Sequence, residues 1–450
     1  MNWKKALVVA PLSAALLFST GGFASAASMD DGDPTVETAA VDLRADLGHL
    51  LSEHAFLAVE AMRNGAADSD DFDASVDALN SNTDDLSEAI ASVYGDDAGK
   101  SFKKMWSAHI GYFVDYVNAT ADKDDDAKQE ALDNLGNYKE DFSKFLETAT
   151  DERLEAGSLA EGLQMHVNQL IGAFDNYVDG DYQDAYDHER EAIEHMHTVA
   201  KGLSSAIADQ YPDKFDDTMA VTPAGDLRAD LGYLLSEHAG LAVIAMQNGI
   251  EENPDFEAST DALNDNTKDL SKAIASVYGD EAGDKFQDMW SKHIGYFVDY
   301  VNATADKDED AKQEALDHLS SYKEDFSEFM DTATEGNVEA SDLAEGLQMH
   351  VDQLIGSFDS YVKGDYDDAF SQARDGYGHM YEAAKLLSSG IVAQYPDKFA
   401  NDMPSEMPNT GLGMPQDQDN HMMWAWILGG AIFILAAFVA IRKYNTAKNQ

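Results

Sequence analysis

The sequence predicts an all-α protein: two tandem helical-bundle domains of about six helices (three hairpins) each, then one C-terminal transmembrane helix. Three observations carry this. Apolar residues recur at helical spacing through most of the chain, with few Val/Ile/Thr alternations and nine prolines in 450 residues. Leu43-Arg44-Ala45-Asp46-Leu47-Gly48 returns as Leu227-Arg228-Ala229-Asp230-Leu231-Gly232, and the same offset of 184 residues relates His109 to His293 and Phe215 to Phe399. So long a period marks a duplicated domain rather than a solenoid of small units. Finally, an apolar run from Met422 to Ile441 is about long enough to cross a bilayer as one helix.

The elements follow in chain order. Lys4 and Lys5 precede an apolar run, Ala6 to Phe18, and the small residues Ala24-Ser25-Ala26-Ala27. A charged start, an apolar stretch and an A-x-A site make residues 1–27 a secretory signal peptide. Residues 28–40 read as a flexible acidic leader. Helical domain 1 spans 41–216. Its first helix carries Leu43, Leu47, Leu50, His54, Leu57 and Ala61, and ends at Asn64-Gly65. Phe72, Val76, Leu79, Thr83, Leu86, Ile90 and Val93 form the second, ended by Tyr94-Gly95. The third holds Phe102, Met105, Trp106, His109, Phe113, Tyr116 and Val117. The fourth opens on an acidic first turn, Asp122 to Asp126, as the positive end of a helix dipole favours, and continues through Leu135, Tyr138, Phe142 and Phe145. Leu159, Leu163, His166, Leu170, Phe174 and Tyr177 mark the fifth, stopping near Gly180. The sixth, with Ala185, Ala192, Met196, Val199, Leu203 and Ile207, ends at Tyr211-Pro212. A linker, 217–224, leads into helical domain 2, 225–400, which repeats the pattern.

Residues 401–421 form a stalk containing Met407-Pro408-Asn409-Thr410-Gly411, followed by the transmembrane helix 422–441 and a basic tail 442–450. Arg442, Lys443 and Lys448 stay on the cytoplasmic side, so the bulk of the chain lies outside. The order of motif, span and basic tail resembles the cell-wall sorting signal of Gram-positive surface proteins, with Met407 where that LPxTG family has Leu. The resemblance implies that sortase cuts between Thr410 and Gly411 and joins Thr410 to peptidoglycan; a plain single-pass membrane anchor is the alternative. Both place the protein at the extracellular face of the cell membrane or cell wall.

Asp and Glu number 85 against 30 Lys and Arg, a formal net charge of −55. Such a surface repels nucleic acid and anionic headgroups, and suits high salt, an alkaline medium or loose attraction of cations. Cysteine is absent, which removes disulfides, thiolate catalysis, Cys-ligated zinc, iron–sulfur clusters and c-type haem. No catalytic motif takes their place. Glu194-x-x-His197 has no second copy, since its counterpart ends at Tyr381, and Asp122 to Asp126 lacks the Gly and Glu of a calcium loop. An enzyme is therefore not expected.

Four histidines per domain occupy matched positions: His54 with His238, His109 with His293, His166 with His350 and His195 with His379. They fall on or beside apolar stripes of the first, third, fifth and sixth helices. A bundle core can bring side chains from several helices together, and neutral imidazoles suit Cu(II), Zn(II) or, as axial pairs, haem b. Met105, one turn before His109, and its counterpart Met289 could add a thioether and tilt the site toward Cu(I). The other reading keeps all eight histidines as packed core residues of a structural or adhesive module without a cofactor. In it Asn80, Thr83 and Tyr138, with Asn264, Thr267 and Tyr322, are the hydrogen-bond partners.

The segments GLQMHVNQLIGAFDNYV and WSAHIGYFVDY are similar to a helical domain of secreted Bacillota proteins labelled copper amine oxidase-like. That resemblance implies copper. It does not carry oxidase activity, because neither copy has the T-x-x-N-Y-D/E motif and His195-Met196-His197 becomes His379-Met380-Tyr381.

Overall fold

A computed structural model describes residues 33–400. The expected signal peptide, the MPNTG motif and the apolar run 422–441 lie outside the described residues. Among those described, no helix is long and apolar enough to cross a membrane. They are all-α, with no strand.

Six helices form the first repeat: α1 (Ala39–Ala67), α2 (Phe72–Tyr94), α3 (Asp96–Asp122), α4 (Asp125–Ala149), α5 (Ala156–Asp179) and α6 (Tyr182–Gln210). Six more form the second: α7 (Pro223–Glu251), α8 (Phe256–Tyr278), α9 (Asp280–Asp306), α10 (Glu309–Ala333), α11 (Ala340–Lys363) and α12 (Tyr366–Gln394). Thr38, Asp124, Thr222 and Asp308 cap their helices by accepting a backbone N–H. Two boundaries differ from the sequence reading. Asp122 closes α3 instead of opening α4, because Lys123 turns left-handed at φ 57° and Asp124 takes the cap. The leader is anchored before residue 40: Val36 is buried beside Ala224 and Val392, and its carbonyl accepts from Arg228 at 2.9 Å.

Three separate hairpins do not describe the repeat. Each helix packs on the one before and the one after, and α6 closes the ring against α1. α1 also touches α3 and α5, so the odd-numbered helices, which run in the same direction, converge inside the bundle. From Leu51 to Asn64 every residue of α1 is buried, as is every residue of α7 from Leu235 to Asn248. A helix buried all round is a central one, and the two central helices pack against each other.

Both repeats therefore belong to one compact unit, fastened by contacts that an internal two-fold exchanges. Arg44 meets Asp226, and Arg228 meets Asp42. Arg190 grips Glu237 at 3.1 and 3.2 Å and Asp269 at 2.8 Å; Arg374 grips Glu53 at 3.2 and 3.0 Å and Asp85 at 2.7 Å.

Gly99 sets the closeness of α2 and α3. A Cβ there would stand 2.7 Å from the Ala91 Cβ and 2.8 Å from the Ser87 carbonyl oxygen. Gly99→Ala is therefore expected to cost about 1–3 kcal/mol through overpacking. Gly111→Ala, with nothing within 4 Å on α3, is expected to stabilise by roughly 0.5–1 kcal/mol. Urea midpoints at constant slope read both changes.

Candidate metal centre

The helices of the first repeat are 23 to 29 residues long. At about 1.5 Å per residue they span similar lengths, so antiparallel packing aligns their midpoints. His54, His109 and His166 each stand near the middle of their helix, on α1, α3 and α5. The alignment brings them together. One nitrogen from each lies within 4.8 Å of the others, and all three side chains are buried. His238, His293 and His350 on α7, α9 and α11 repeat the arrangement.

The fourth pair does not join. His195 Nε2 donates to the Gly162 carbonyl at 2.9 Å, and His379 Nε2 to the Gly346 carbonyl at 2.9 Å. A carbonyl only accepts, so that nitrogen carries the proton and has no lone pair for a metal. Met105 and Met289 are half-buried at the core's edge. Neither lines the cavities beside the triads.

The expected hydrogen-bond partners are also elsewhere. Asn80 and Asn264 are exposed. Thr83 and Thr267 donate to the Leu79 and Leu263 carbonyls of their own helices, both at 3.0 Å. Tyr138 and Tyr322 stack flat on His109 and His293, with ring centroids 4.8 Å apart in each pair, and their buried hydroxyls have no partner. In place of Asn80, Asn82 is the buried amide. It serves Glu53 at 2.7 Å rather than an imidazole.

Both ring nitrogens of His54 and of His166 are buried without a hydrogen-bond partner, as are both of His350. A neutral imidazole has one N–H and one lone pair to satisfy, and leaving either unmet in an apolar interior costs about 1–3 kcal/mol. In the second triad part of the demand is met internally. Trp290 Nε1 donates to His238 Nδ1 at 3.3 Å, and His238 Nε2 and His293 Nε2 are 3.3 Å apart. Trp106, the counterpart of Trp290, has no partner for its N–H.

Burial pushes the acidity of these groups one way. His109, His293 and His350 are each held down to about 3 by desolvation. His54, His166 and His238 lie well below the usual histidine range, again from desolvation first and then from neighbouring imidazoles. All six are neutral at physiological pH, the state in which a nitrogen lone pair can bind a metal.

Cavities flank the first triad. One of about 30 Å³ lies between α1, α2 and α3 and touches His54 and His109. Another of about 60 Å³, on the side of α4 to α6, touches His109, His166 and Tyr138. No Asp or Glu lines either. Of the remaining histidines, His197 pairs with Asp230 at 3.1 Å, His49 packs on Tyr381, His188 reaches Glu191 on the surface and His318 lies against Tyr296. None belongs to a triad.

No protein-family model, curated protein or solved structure matches this chain.

Proposed function

We propose that this is a surface-displayed metal-binding protein in which each bundle holds one transition-metal ion, copper(I) first, through His54, His109 and His166 and through His238, His293 and His350. One observation carries the reading: in both repeats three imidazoles from three different helices converge at mid-bundle, with nitrogens left unsatisfied. Metal–nitrogen bonds of about 2.0 Å at a tetrahedral angle separate two ligand nitrogens by about 3.3 Å. That is the separation of His238 Nε2 and His293 Nε2.

Charge favours the monovalent ion. Three neutral ligands in a cavity without carboxylates leave a divalent cation uncompensated in an apolar interior, which is costly; copper(I) brings half the charge and tolerates three ligands. Haem fits poorly. In a bis-histidine haem the porphyrin fills the plane between the axial nitrogens, where the third imidazole stands here. Cavities of about 30 and 60 Å³ also hold far less than a cofactor of that size. The chain's net charge of −55 raises the local concentration of cations. A signal peptide, a sorting-like motif and a basic-tailed span would hold it outside a Gram-positive cell, on peptidoglycan or in the membrane.

The test is metal analysis of the purified chain after anaerobic loading with Cu(I). Two coppers per chain are expected, one in His109→Leu, none in His109→Leu/His293→Leu, and two in His195→Gln. Trp106 lies 4.7 Å from both His54 and His109, ring to ring, so loading should quench tryptophan emission. A well-folded chain that takes up neither copper nor zinc, and whose melting ignores both, would return the histidines to packing.

A further inference from the structure

A three-coordinate ion leaves a coordination position open, and the cavities say what could occupy it. The 60 Å³ cavity is about twice a water molecule's share of liquid volume. Its walls are Leu, Ile, Val, Phe and Met side chains, with His109, His166, His195, Tyr138 and the unpartnered indole N–H of Trp106 as its polar members. Two of these are the expected ligands. The third, His195, has Nε2 committed to the Gly162 carbonyl.

Tyr138 is different. It is 8% exposed, lies flat on His109, and its hydroxyl meets no acceptor. A phenol offers one O–H donor, and here it stands on the cavity wall with nothing to receive it. Tyr322 repeats the stacking and the unmet hydroxyl on His293.

Resting on the metal reading above, we infer that the copper of the first repeat keeps a position open toward this cavity, which takes a small uncharged diatomic gas whose far atom accepts a hydrogen bond from Tyr138. The chemistry of the walls selects that class. An anion would find no Lys or Arg among the lining side chains to balance its charge. Water needs two to four polar partners and is disfavoured where the walls are apolar. A larger organic ligand exceeds the volume. A diatomic fits, gains dispersion contacts, and supplies the acceptor that the buried hydroxyl lacks. No bond within the ligand breaks and no electron needs to leave the protein for this binding step.

Carbon monoxide is the probe, added to the anaerobic Cu(I)-loaded chain and read by infrared spectroscopy. The expected result is a C–O stretch with one CO per chain, retained in His293→Leu and lost in His109→Leu. In Tyr138→Phe the band should move. His188→Gln, on the surface against Glu191, serves as a second variant and should keep the CO stoichiometry. Copper bound at two per chain with no CO band overturns this inference and leaves the metal reading standing. A CO band unmoved in Tyr138→Phe removes the hydroxyl donor and overturns the inference. No copper uptake overturns both readings.

Discussion

Acidifying the metal-free protein from pH 7 toward pH 5 is expected to unfold it. The six triad histidines are held neutral, with folded values of about 3 for His109, His293 and His350 and lower than usual for the rest. An unfolded histidine titrates near 6.5. Their folded values are depressed, so the unfolded state binds more protons between those limits. Stability is fully present above about pH 6.5 and is lost as pH falls toward 3. Each group contributes about 1.4 kcal/mol per pH unit, so three contribute about 4 kcal/mol per unit in each bundle. Buried carboxyls oppose part of this. Glu60, Glu189 and Glu237 are raised, first by desolvation, and a raised acid loses stability as pH rises. The net slope is smaller than the histidine sum, yet large beside a typical stability of about 5–15 kcal/mol. Helical circular dichroism against pH measures the midpoint. The comparison with His109→Leu/His293→Leu isolates the imidazoles, because the carboxyls are common to both chains. The variant's midpoint should fall, and Cu(I) loading of the parent should lower it too. Coincident midpoints in parent and variant would mean that the imidazoles are not held neutral in the interior.

Much of this geometry was legible in the residues. Apolar spacing and the Gly and Pro stops place the helices to within a few residues, because a helix's period and its punctuation are both local. The convergence of His54, His109 and His166 also has a sequence signature, a histidine near the middle of each odd-numbered helix. His195, near the middle of the even-numbered α6, sits on an apolar stripe as they do and fails for a reason that spacing does not encode. A carbonyl at Gly162, 33 residues away, captures its Nε2. Periodicity gives the face a side chain occupies, not the atom it meets there. The joining of the two repeats was harder to read. Glu53 and His54 diverge by about 100° around α1, and that divergence lets one helix serve two interfaces, with His54 in the bundle and Glu53 against Arg374. A charged residue inside an otherwise apolar run was the available signal at Arg44, Glu53 and Glu60. In a chain with 85 acidic residues such charges pass easily for solvated ones, and the arginine and aspartate partners of Glu53 and Arg44 lie in the other repeat.

Arg374→Met should cost more than Arg190→Met, although the two arginines occupy equivalent places. Both lost partners are fully buried carboxylates. Burial would raise Glu53, but His49 and then Arg374 outweigh it and bring the group down to about 2. At the equivalent of His49 the second repeat has Tyr233, and Glu237 stays raised, because burial exceeds what Arg190 and Asn266 supply. Glu53 is therefore firmly ionised, and removing Arg374 strips the bidentate partner from a buried charge, at about 3–5 kcal/mol. Glu237 takes up a proton more readily when Arg190 is lost, which limits the damage and shrinks it further as pH falls from 7 toward 5. Urea midpoints at pH 7 and pH 5.5 give both differences. Adding Glu53→Gln to Arg374→Met should recover most of the loss, because the amide still accepts from Asn82, which donates to Glu53 at 2.7 Å, and leaves no charge inside. Equal costs for the two arginines at both pH values would show that His49 does nothing for Glu53. A double variant no more stable than Arg374→Met alone would show that the guanidinium acts through its packing and its contact with Asp85, which it holds at 2.7 Å, rather than through the buried charge.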